Sequence, residues 1–132
     1  MSVLGVARRD FDAKASEVRE ARHFVAAEAR GWGVESSALE TVVGELAANA
    51  YVHARTAFTV SLCYHDECLS VEVADRSPAL PVPSAGDPRN GSTGRGLKMV
   101  DSLVKAWGAR STIDGKILWA ELVAVQLANR GG

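Results

Sequence analysis

Phe58, Val60, Leu62 and Tyr64 alternate with Thr59, Ser61 and Cys63, and beyond His65, Asp66 and Glu67 the alternation resumes with Leu69, Val71 and Val73. Successive side chains of a strand point to opposite faces, so two such runs around a short polar turn predict an antiparallel hairpin with one apolar face. A lone hairpin is marginal in water, and its apolar face needs a second layer. The chain must therefore supply helices to cover it.

Residues 13–30 carry Val18, Ala21, Val25 and Ala29 at helical spacing among many Ala, Glu and Arg. Gly31 and Gly33 predict the exit of this helix, with Trp32 between them as a core plug. Ser37 and Glu40 match a capping box, in which a hydroxyl and a carboxylate satisfy the free amides of a new helix over residues 37–53. A third helix is predicted from Leu97, Val100, Leu103, Val104 and Trp107, ended by Gly108. Residues 110–113 and 116–123 read as strands joined by the hairpin dipeptide Asp114, Gly115. Val3, Leu4, Val6 and Phe11 can add an edge strand, and the tail at 128–132 reads as frayed. Helix, helix, hairpin, helix, hairpin predicts an α+β fold, a two-layer α/β sandwich with helices on one face of a mixed, mainly antiparallel sheet.

The 132 residues are expected to form a single domain. A net charge of −1 with scattered basic residues gives no electrostatic reason to expect a nucleic acid or membrane partner. Apolar runs shorter than a bilayer span and an amino terminus without an export layout predict a cytoplasmic protein. Cys63 and Cys68 flank the hairpin turn and could face each other, but a reducing compartment favours two free thiols. Turn chemistry explains the polar cluster of His65, Asp66 and Glu67 more simply than a metal does.

Three features point to a ligand. Glu45 and Asn49 stand one turn apart on the second helix, at the margin of the apolar stripe of Leu39, Val42, Val43, Leu46 and Ala50. A carboxylate and an amide there can hold a cation, although a solvated pair would share the spacing. Asp75 closes the second hairpin strand before Arg76, Ser77 and Pro78, where it can accept a hydrogen bond from a base or start a turn. Residues 79–94, rich in Pro, Gly and Ser, read as a lid, and Gly94, Arg95, Gly96 lead into the third helix, where free amides and the helix dipole favour phosphate. Neither a P-loop nor a Rossmann glycine pattern is present.

Glu45, Asn49, Ala50, His53 and Ala54, then Asp75, then Gly94, Arg95, Gly96 and Leu97 occur in an order that resembles the ATP-binding fold of histidine kinases, gyrase B and Hsp90. Within that superfamily the short format is similar to bacterial anti-sigma-factor serine kinases of the RsbW type. The resemblance implies ATP and Mg²⁺ as cofactors, with Asn49 as the metal ligand and Glu45 as the catalytic base or orienter. It implies that Asp75, with Ser77, receives the adenine, and that Gly94, Arg95, Gly96 and Leu97 approach the phosphates. His53 matches a recurrent position that helical packing explains equally well, and Arg95 and Lys98 add charge by position alone. The implied partners are a sigma factor, an antagonist protein phosphorylated on serine, and a second copy of the chain. Ser77 and Ala79 stand where the family commonly has glycines, which narrows the pocket and keeps open a non-catalytic binding module as the alternative.

Overall fold

The computed structural model of the chain describes residues 2–77 and 99–128. The expected lid, Gly94, Arg95, Gly96, Leu97, Lys98 and the last four residues of the tail lie outside the described residues.

The predicted hairpin is the centre of the sheet. Strands β2 (Phe58–His65) and β3 (Cys68–Asp75) pair antiparallel, with Phe58, Val60, Leu62 and Tyr64 buried and their neighbours turned outward. Asp66 and Glu67 alone form the turn, at φ 44° and 64°, the doubly left-handed geometry whose twist matches the flanking strands. His65 is a strand residue opposite Cys68, and Cys63 lies opposite Ser70. The two cysteines therefore do not face each other, and both are free.

Strand β1 (Val3–Phe11) pairs with β2 as the expected edge strand. Strand β5 (Lys116–Val123) pairs with β3, and β4 (Ala106–Ser111) closes the far edge. The order is β1-β2-β3-β5-β4, and every pair is antiparallel, so the expected mixed character is absent among the described residues.

Helices α1 (Ala15–Gly31) and α2 (Ser37–Asn49) cover the inner face. Val25, Leu39, Val42, Val43 and Leu46 are fully buried against Val60, Leu62, Val71, Val73 and Leu118. Each such side chain contributes about 1.5–3 kcal/mol by leaving water. Phe11 stacks on Phe58 at 5.3 Å and meets the edge of Phe24 at 6.0 Å, closing the core at one end. These elements form the predicted two-layer α+β sandwich.

Several local expectations are corrected. The cap of α2 is Ser36, whose hydroxyl donates to Glu40 Oε2 at 2.7 Å, so the box expected at Ser37 does not form. Trp32 is a half-buried rim residue rather than a core plug. Its ring stacks on Tyr64 at 5.9 Å and covers Gly5, where any Cβ would overlap the indole. The third helix stops at residue 103, and Trp107 and Gly108 belong to β4. The pairing of Gly108 with Trp119 explains that glycine: a Cβ there would lie 2.9 Å from the Trp119 ring. The strand expected at 110–113 thus begins earlier and ends at Ser111. Ser111 pairs with Lys116, so a four-residue loop replaces the two-residue turn, held by Thr112 N donating to Gly115 O at 2.9 Å.

Candidate nucleotide site

α2 does not simply end at Asn49. Its last turn widens into a π-helical turn, Ala50–Ala54, closed by Arg55 N donating to Ala50 O at 2.8 Å, with Arg55 left-handed at φ 56°. Such widened turns often mark functional sites because they re-aim the side chains beside them. α2 packs over β3 and β5, and the π turn packs over β3. The junction of α2 and the π turn, which holds Asn49, therefore lies over the strand that ends in Asp75.

Asn49 is only 3% exposed, yet neither its Oδ1 nor its Nδ2 has a hydrogen-bond partner among the described residues. Leaving a buried amide unsatisfied costs about 1–3 kcal/mol, and native proteins rarely accept that without a use for the group. The oxygen suits a hard cation, and the adjoining donor suits a phosphate oxygen. Asn49 thus fits the expected Mg²⁺, although no cluster of three or more His, Cys, Asp or Glu side chains that could hold a metal exists among the described residues.

One turn back, Glu45 is half-buried. Desolvation raises its carboxyl above the ordinary value, and Arg22 on α1 opposes that rise. Gly44 admits Arg22: a Cβ at Gly44 would lie 2.9 Å from Arg22 Cδ. Arg22 is a site neighbour that helical periodicity on α1 could not reveal. His53 is exposed in the π turn.

Asp75 is the last residue of β3 and points inward. Its Oδ1 accepts from Ser77 N at 2.9 Å, the turn-starting bond that its sequence context allows. Its Oδ2 accepts from Lys116 Nζ at 2.7 Å, and both side chains are 1% exposed. Lys116 was missed in the sequence although a signal existed: it shares the inward set with Leu118, Ala120 and Leu122. A groove of about 520 Å³ at this end of the sheet is lined by Asp10, Asp12, Glu17, Asp75 and Asp114 against Arg8 and Arg76. Its acidic excess disfavours phosphate, and Glu45 and Asn49 do not line it.

A buried amide one turn from a half-buried carboxylate thus lies over an antiparallel sheet whose central strand ends in a buried aspartate, in a two-layer α+β domain. The chain belongs to the histidine kinase-like ATPase domain family, which it matches over residues 11–122. Membership implies nucleotide binding. No curated protein matches the sequence. Among solved structures, the RsbU and RsbW domains of Rv1364c from Mycobacterium tuberculosis superpose with a TM-score of 0.68 at 16% identity. That match covers 95% of this chain and 35% of the other, and it shows the shared fold. No helix among the described residues is long and apolar enough to cross a membrane.

Proposed function

We propose that this domain is an ATP-dependent protein-serine kinase and anti-sigma factor, which sequesters a sigma factor and phosphorylates an antagonist protein. The observation that carries the proposal is Asn49, a buried amide with two unpartnered polar atoms one turn from Glu45. In this reading Asn49 Oδ1 is a metal ligand. Asn49 would hold Mg²⁺ through that oxygen, and the cation would supply charge neutralisation at the ATP phosphates.

Glu45 takes the proton of the attacking serine hydroxyl. A carboxylate whose proton affinity is raised by burial is a better base near neutral pH than a solvated one. Arg22 keeps it ionised enough to act. Asp75 receives the adenine amino group, and Gly94, Arg95, Gly96 and Leu97 are assigned to the phosphates. Titrating the purified chain with Mg²⁺–ATP tests the site, and transfer of the γ-phosphate to a candidate antagonist tests the activity. Binding retained with transfer lost in Glu45→Ala is the expected pattern; transfer at the wild-type rate in that variant would remove Glu45 from the mechanism.

A second reading, a non-catalytic module that holds a sigma factor or antagonist, is favoured by the Asp75–Lys116 pair, which engages the carboxylate assigned to the base. Partner binding that ignores both Mg²⁺–ATP and Asn49→Ala would support it. Self-association of the chain belongs to either reading.

A further inference from the structure

Just before β5, Gly115 passes close to the end of β3. A Cβ on Gly115 would collide with the carbonyl oxygen of Asp75 and lie 2.6 Å from Arg76 Cα, so only glycine lets the chain enter β5 this close to the end of β3. That approach delivers Lys116 directly opposite Asp75 in the register, and its ammonium reaches Oδ2 at 2.7 Å with both side chains sealed from solvent. Ser77 N occupies Oδ1. Asp75 is the only buried acidic residue among the described residues, and both its oxygens are thus engaged by donors from the chain itself.

We infer that Lys116 is an internal occupant of the base end of the nucleotide site, its ammonium taking the place at Asp75 that a base amino group would need. This rests on the proposed role of Asp75 and adds a regulation to it. An ammonium makes a charge-assisted hydrogen bond, about twice as strong as the bond of a neutral amino group. A purine amine therefore loses the competition unless Lys116 is drawn away. The base contributes little to affinity in this chain, and triphosphate and metal contacts near Asn49 carry the binding. Anything that lifts the start of β5 from β3 would admit the base and tighten the grip on ATP.

The test compares Mg²⁺–ATP with the Mg²⁺ complex of purine riboside triphosphate, which lacks only the 6-amino group, by calorimetric titration of the wild type, Lys116→Met, and Asp75→Asn with Lys116→Met. The wild type is expected to bind both ligands with affinities within about threefold of each other. Lys116→Met should bind ATP about tenfold more tightly than the wild type does and prefer it to the analogue, with that preference gone in the double variant. The wild-type comparison holds even if a variant melts too low to titrate. A wild type that prefers ATP by tenfold, with the preference lost in the double variant, would overturn the occupancy of Lys116 while leaving Asp75 as the base reader. Equal, unimproved binding of both ligands by Lys116→Met would overturn both, as would no binding of either ligand by any of the three proteins.

Discussion

Arg22 of α1 crosses α2 over Gly44 and sets its charge beside Glu45, so the carboxyl is pushed up by burial and pulled back by a guanidinium on the neighbouring helix. A carboxyl whose folded pKa lies above its unfolded one binds its proton more tightly when folded. Stability is then greatest below the ordinary carboxylate range and falls as pH rises through the raised value. Glu45→Gln should raise the melting temperature at pH 7 by about one or two degrees and leave it unchanged near about pH 4. In an Arg22→Ala background the gain from Glu45→Gln should grow, because the opposing charge is gone. Thermal melts of the four proteins at the two pH values measure this coupling, and an equal gain in both backgrounds would show that Arg22 does not act on Glu45.

Asn49 presents the same conflict between stability and use in a buried amide. Asn49→Leu keeps the forked outline at a larger volume and removes two unsatisfied polar atoms, so it should stabilise the fold by about 1 kcal/mol, the relief of desolvation less some overpacking, while abolishing Mg²⁺-dependent nucleotide binding. Chemical denaturation and calorimetry read the two effects separately. An Asn49→Leu protein destabilised by more than the roughly 3 kcal/mol that overpacking explains would mean that the amide is satisfied within the fold, and its case as a ligand would fail.

The sandwich was legible because its strands and first two helices bury clean periodic faces: Phe58 through Tyr64 at period two, Val42, Val43 and Leu46 at helical spacing. Residues 104–108 were misread because Val104 and Trp107 continue the helical spacing of Val100 and Leu103, and only the pairing of Ala106–Ser111 with β5 decides for a strand from Ala106. Glu45, Asn49 and Asp75 stood out by residue type and place. Lys116 and Arg22 did not, since their importance comes from the register of β3 with β5 and from the crossing of α1 over α2, which are tertiary facts.

Lys116 and Asp75 also bear on stability. Removing one partner leaves the other buried and unpaired, a loss of about 3–5 kcal/mol, so Lys116→Ala should unfold at markedly lower denaturant than the wild type. Gly115→Ala should be similarly damaging, because it forces β5 away from Asp75 and Arg76. If Lys116→Ala unfolded at the wild-type midpoint, the pair would not be sealed from water.

Gly5 and Trp32 offer a spectroscopic test of the sheet edge. With a methyl group at Gly5 the indole cannot keep its place over β1 and against Tyr64. Gly5→Ala should shift Trp32 emission to the red and cost about 1–3 kcal/mol through overpacking. Trp107→Phe and Trp119→Phe in the background isolate the signal, and unchanged emission would place the ring elsewhere.

The central hairpin holds strain that is independent of the site. Glu67 sits at φ 64° in the turn, a region that costs an L-residue with a side chain about 1–2 kcal/mol and costs glycine almost nothing. Its carbonyl, which accepts from Ala124 N at 2.8 Å, belongs to the backbone and survives substitution. Against the relief of strain stands the greater freedom of glycine in the unfolded chain, which takes back part of the gain. Glu67→Gly should therefore stabilise the domain by roughly 0.5–1 kcal/mol. Because the turn lies at the opposite end of β3 from Asp75, nucleotide affinity should not change. Denaturation midpoints with parallel Mg²⁺–ATP titrations check both halves, and a loss of stability would show that the Glu67 side chain supports the turn by more than its backbone costs.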